Sequence, residues 1–141
     1  MSVGTVLTIT EDEEGAGIDA GRLWVGLGAI IGLLAVFAGA AGTHALRGTL
    51  DPDELRTFET AVRFQMFHAL ALLATGLIAM RWNCRYVNLA GWLFVAGVAL
   101  FSGSLYALAM TGVGAFGAIA PLGGLSLMAA WALLAVGALR R

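Results

Sequence analysis

LWVGLGAIIGLLAVFAGAAGTHAL, residues 23–46, decides the fold: it runs without a charged side chain and ends at Arg47. A helix rises about 1.5 Å per residue, so this stretch alone covers the roughly 30 Å of hydrocarbon in a bilayer. Lipid offers the backbone no hydrogen-bonding partner, so such a stretch must satisfy its own amides and be helical. By the same criterion residues 62–80 form a second span, interrupted only by Arg63 near its start, and residues 89–110 a third. No charged residue lies between Arg85 and Arg140, so a fourth span, roughly residues 115–139, shares that interval and joins the third by a short apolar turn. The expected fold class is an all-α membrane protein, with four transmembrane helices in an antiparallel bundle over residues 22–141.

Composition agrees. Hydrophobic residues make up 60% of the 141-residue chain and charged residues 12%, against about 45–50% and 25% in ordinary soluble domains. Mean hydropathy is +0.88. A chain this apolar has too few polar side chains to cover a soluble surface, and its expected partner is the lipid bilayer. Net charge is −1, and there is no lysine and no basic stripe, so nucleic acid is not an expected partner. The single cysteine, Cys84, excludes an internal disulfide and a cysteine-based zinc site; it reads as a small apolar filler near a helix end. Residues 1–21 carry Glu11, Asp12, Glu13, Glu14 and Asp19 among Gly, Ser and Thr. They read as a flexible acidic tail, and without a basic n-region ahead of an apolar core they do not read as a signal peptide.

Arginine placement gives an orientation. Four spans put both termini and the second loop on one side, with Arg22, Arg81, Arg85, Arg140 and Arg141; the other side has Arg47, Arg56 and Arg63. Five against three places both termini in the cytoplasm of an inner-membrane protein. Trp24, Trp82 and Trp92 fall near the same ends, where an interfacial aromatic belt is expected.

The first loop ends in a helix start. Asp51 is placed to cap, Pro52 to open the first turn, and Glu54 to complete a capping box. Leu55, Phe58 and Val62 recur on one face, so an amphipathic extension precedes the second span. A helix from Pro52 to Met80 would be about 43 Å long, and its first two turns would stand in the interface or beyond it. Gly28 and Gly32, continued by Gly39 and Gly42, form a small-residue face that lets helix backbones approach in lipid. That face can pack within the chain, between copies, or in a larger membrane complex.

Polar side chains inside spans are costly unless paired. Thr43 and His44 close the first span, Gln65 and His68 lie in the opening turns of the second, and Ser102, Ser104 and Tyr106 occur in the outward half of the third. All fall toward the face of the first and third loops. As a functional cluster they could form a ligand site or a small-molecule, ion or proton pathway, and His44 with His68 could ligate a haem or a metal. As a structural cluster they bond backbone carbonyls or one another and fix the helices. Two histidines without a third ligand favour the structural reading, and no acidic residue lies inside a span to couple ion transport. Ser102-Gly103-Ser104 reads as helix packing, not as a nucleophile. Pro121, followed by Gly123 and Gly124, either kinks a long fourth helix or opens that helix after an apolar, re-entrant-like stretch from Gly112. With no Walker loop, dinucleotide turn or catalytic-triad pattern, the expected role is non-enzymatic, as a packing or accessory subunit, with no cofactor.

Four ordered segments carry a resemblance. Residues 39–46 (GAAGTHAL), 60–73 (TAVRFQMFHALALL), 100–106 (LFSGSLY) through Thr111-Gly112, and 121–124 (PLGG) resemble the domain-of-unknown-function family 423. These are small bacterial inner-membrane proteins, similar to eukaryotic transmembrane protein 256. The likeness covers roughly residues 22–140 and leaves out the acidic tail. The family pattern has a small apolar residue at position 43, Tyr at 64 and Thr at 120, where this chain has Thr43, Phe64 and Ala120; obligatory hydroxyl chemistry at 64 and 120 is thereby disfavoured. The resemblance implies a multi-span membrane protein and brings no activity with it.

Overall fold

A computed structural model describes the backbone of residues 3–140 and the side chains of residues 15–140. Four α-helices follow in order: α1 (Val3–His44), α2 (Pro52–Arg81), α3 (Arg85–Thr111) and α4 (Ala120–Leu139), with one 3-10 turn, Gly114–Phe116, before α4. Four stretches, Gly15–His44, Pro52–Arg81, Arg85–Thr111 and Gly114–Leu139, are long and apolar enough to cross a membrane. The helices pack in chain order, α1 along α2, α2 along α3 and α3 along α4. The centre of the bundle is therefore α2 and α3, and α1 and α4 are its flanks.

α1 does not begin near residue 22. It continues back to Val3, so the segment read from composition as a flexible tail is helical in the structure; the side chains of Glu11, Asp12, Glu13 and Glu14 lie outside the described residues. From Gly17 onward the helix lies on a glycine face that composition alone hides. A Cβ on Gly17 would lie 3.2 Å from the Ala79 oxygen, and one on Gly21 would lie 2.8 Å from the Gly76 oxygen. Gly28 continues that face, with the Ala69 oxygen 2.9 Å from the same virtual position. The end of α1 is thus held against the end of α2 by close backbone approach.

The start of α2 matches its sequence signals. Asp51 Oδ1 accepts from the amides of Asp53 and Glu54 at 2.9 Å each, and Glu54 Oε2 accepts from the Asp51 amide at 3.0 Å. These bonds occupy first-turn donors that have no intrahelical partner. The helix then runs 30 residues as a single α-helix, about 45 Å at the standard rise. The loop before it turns on Gly48, whose φ of +94° an L side chain rarely adopts. α3 ends on Gly112 in the left-handed region, its amide donating to the Leu108 oxygen at 2.8 Å. Between the two readings open for Pro121, the helix starts there: α4 begins at Ala120 with the proline in its first turn, where the missing N–H removes no helical bond.

Trp24 departs from the belt expectation. It is only 1% exposed and belongs to the core with Leu72, Val87, Phe94, Leu127 and Leu134. Its ring fills the space left by Gly91, and its Nε1 donates to Asn88 Oδ1 at 3.0 Å. Trp82 and Trp92 are exposed, at 44% and 55%, near the α2–α3 loop.

Candidate functional site

Four polar side chains of the spans link α2 to the other helices. Gln65 sits at their centre, buried on α2. Its Nε2 donates to the Ile31 oxygen of α1 at 3.0 Å, and its Oε1 accepts from the Tyr106 hydroxyl of α3 at 2.7 Å. One amide therefore ties three helices. Ser102 Oγ of α3 donates to the Ala61 oxygen of α2 at 2.9 Å, a second link between the central pair. Tyr106 also tilts its ring against Phe58, with ring centres 4.9 Å apart.

His68 lies one turn further along α2. Its Nδ1 is 2.7 Å from the Phe64 oxygen, and its Nε2 is 3.3 Å from Trp131 Nε1 of α4. A carbonyl can only accept and an indole N–H can only donate. Both contacts are met by one form, the neutral ring protonated on Nδ1. Phe94 and Trp131 pack around it, with ring centres 5.8 and 6.3 Å from the imidazole. Among the described residues no buried side-chain nitrogen or oxygen lacks a hydrogen-bond partner.

Gln65, His68, Ser102 and Tyr106 are thus brought together or linked across helices. The other three candidates are not. Ser104 Oγ turns back to the Phe101 oxygen on its own helix, and Thr43 Oγ1 to the Gly39 oxygen on its own. His44 is exposed at the end of α1. Gly32 faces Ala69, which is next to His68, so His44 lies twelve residues, about 18 Å, along α1 from the level of His68. That separation rules out one haem iron or one metal between the two imidazoles. Among the described residues no three His, Cys, Asp or Glu side chains gather as a metal site.

The set also lies deeper than the first-loop face. Ile31 is eight residues from the start of the apolar stretch at Leu23, and Phe94 is nine residues from the start of α3, so the links run from the first-loop side to the middle of the bundle. Trp131, Asn88 and Ser126 enter as members that spacing did not suggest; Ser126 Oγ donates to the Leu93 oxygen at 2.9 Å. Trp131 carried one usable signal. It is a mid-span tryptophan, whose N–H needs a partner when buried in apolar surroundings.

All four glycines assigned to packing face α2. A Cβ at Gly28 would crowd the Ala69 oxygen at 2.9 Å, while Gly32, Gly39 and Gly42 meet Ala69, Val62 and Phe58 at 3.6, 3.5 and 3.2 Å. The small-residue face is consumed inside the chain.

Beside Gln65 a groove of about 350 Å³ opens between α1 and α3, walled by Leu27, Ile31, Leu34, Val95, Val98 and Ala99, with Gln65, Ser102, Gly103 and Tyr106 along it.

Residues 38–124, most of the chain and all of the polar set except Ser126, Trp131 and the Ile31 carbonyl, match the family model described as Protein of unknown function (DUF423). The chain belongs to this family. It is 43% identical over 115 residues to the UPF0382 membrane protein SH2409 of Staphylococcus haemolyticus, covering 82% of this chain and 93% of the relative. It is 41% identical over 120 residues to the UPF0382 membrane protein YwdK of Bacillus subtilis, covering 84% and 98%. The UPF0382 membrane protein SERP0230 of Staphylococcus epidermidis is 41% identical over 119 residues, covering 84% and 97%. No solved structure matches the chain. Family membership and the four apolar helices together make this a small integral membrane protein, as the resemblance implied.

Proposed function

We propose that this chain is a non-enzymatic packing or accessory subunit of a membrane assembly, in which its polar set is structural. One observation carries the reading: each polar side chain linked across the spans uses its hydrogen bonds inside the chain, on carbonyls, on Tyr106 or on Trp131. A hydrogen-bonded, apolar-walled network of this kind fixes helices and leaves no reactive group poised. The flanking helices then act by contact, through lipid-facing residues such as Phe37 on α1 and Leu125 on α4, 66% and 59% exposed. On this reading the protein lies in the inner membrane with both termini cytoplasmic, supported by the five-to-three arginine bias.

Cysteine crosslinking tests it. In a Cys84→Ser background, Phe37→Cys or Leu125→Cys is expected to yield an oxidant-dependent crosslinked species in native membranes. Absence of any adduct at either position, together with monomers alone after gentle solubilisation, would sink the proposal.

The groove supports a second reading, a ligand site. Gln65 keeps one N–H free of the bond to Ile31, and the Tyr106 and Ser102 oxygens keep lone pairs after donating their hydrogens. An apolar molecule with one hydroxyl or carbonyl group suits those walls and that edge. A Cβ at Gly103 meets nothing within 4 Å, and Gly103 lies along the groove, so Gly103→Phe is the variant to obstruct it, with a thermal midpoint to check the fold. The expected outcome is a small apolar molecule that co-purifies with the wild type and is lost from this variant; equal recovery from both excludes the groove as its site.

A further inference from the structure

The end of the bundle away from the first loop carries a feature that the polar set does not use. Tyr86, in the first turn of α3, is flanked by two guanidinium groups. Arg85 and Arg140 place their central carbons 5.7 and 5.5 Å from the Tyr86 ring centre, and Arg140 Nη1 also donates to the Tyr86 hydroxyl at 3.0 Å. Cation–π attraction operates within about 6 Å of a ring, so one tyrosine gathers two like charges. Among the described residues neither has a carboxylate partner, and the sole ion pair is Arg56–Asp53, at the opposite end of α2. Both arginines are exposed. Two cations drawn onto one ring repel each other, and an anion between or beside them relieves that repulsion.

We propose that Arg85, Arg140 and Tyr86 form a site for the phosphate headgroup of an anionic phospholipid. Placement selects the source of the phosphate. Arg85 opens α3 and Arg140 directly follows α4, so the pair lies where two membrane spans end. Trp82, exposed where the α2–α3 loop begins, marks the same level as interfacial. The planar guanidinium forks match phosphate oxygens in pairs, and the tyrosine holds them in place. The site is independent of any assembly the protein enters.

The test is native mass spectrometry of the full-length protein exchanged into mixed phosphatidylglycerol and phosphatidylcholine. Retention of phosphatidylglycerol over phosphatidylcholine is expected. At ~1 kcal/mol for each arginine near an anionic surface, Arg85→Gln should cut that preference about 5-fold and the Arg85→Gln/Arg140→Gln pair about 30-fold. Arg56→Gln, at the other end of α2, should leave it unchanged. Thermal midpoints of the variants in neutral detergent separate lost binding from lost folding, and Arg140→Lys provides a second handle, since it keeps the charge and gives up the planar fork. The proposal is overturned by equal retention of the two lipids. It is also overturned if the double variant, still folded, keeps the wild-type preference, or if millimolar inorganic phosphate removes phosphatidylglycerol and stabilises the protein equally well, which would mark a free-anion site.

Discussion

Gly123→Ala is expected to destabilise the bundle by about 2 kcal/mol or more, whereas Gly124→Ala one residue on should be neutral or slightly stabilising. A Cβ at Gly123 would press into the backbone nitrogen of Phe101 and lie 2.7 Å from its Cα, where α4 crosses α3. Backbone atoms in the middle of a 27-residue helix have no rotamer to move into, so the two helices must separate. Separation is costly in lipid, where helix association depends on close van der Waals packing and gains nothing from burying apolar surface away from water. At Gly124 the nearest atoms are ring carbons of Phe101 at 3.8 and 3.9 Å, ordinary contact distances. The methyl group there brings only the better helix propensity of alanine, worth up to about 1 kcal/mol. Thermal unfolding of the two purified variants in one detergent is the measurement. Equal midpoints would mean that the α3–α4 crossing is not as close as described.

The second large effect is at Trp24. Trp24→Ala is expected to cost about 3 kcal/mol, at the lower end of the range for truncating a large buried aromatic residue. The ring is enclosed, sits over Gly91 and meets Trp92 edge-on with ring centres 5.1 Å apart. Removing it opens a void between α1 and α3 and leaves Asn88 Oδ1 without its indole donor. Trp24→Phe keeps most of the volume and loses the hydrogen bond, so a smaller loss, about 1 kcal/mol, is expected. If alanine and phenylalanine gave the same small loss, Trp24 would be a membrane-interface anchor as its sequence position suggested, and not a core residue. Denaturation midpoints of the two variants decide.

Both effects arise at positions the sequence does not single out. Gly123 reads there as part of a Pro-Leu-Gly-Gly stretch that breaks or opens a helix, and Trp24 as one of three interfacial tryptophans. The candidate set divides in the same way. Gln65, His68, Ser102 and Tyr106 could be named in advance because a polar side chain in a span must find a partner. The partners themselves, the Ile31 carbonyl, Trp131 and the Ala61 carbonyl, could not, since each lies more than 30 residues away in the chain.

The sequence by itself determined the class of the protein and the presence of four spans. Bilayer thickness and the need to satisfy every backbone amide act on each stretch separately, and so can be read from 20 residues at a time. It also determined the start of α2, because a capping box is local chemistry among Asp51, Asp53 and Glu54. The tertiary structure alone decided which glycines are crossing points, that the small-residue face of α1 is used within the chain, that His44 and His68 stand apart, and that two arginines share Tyr86. Each depends on the rotation of one helix about its axis, or its shift along that axis, relative to its neighbour. In spans apolar on nearly every side the hydrophobic pattern does not set that rotation, and close backbone packing and a few hydrogen bonds do.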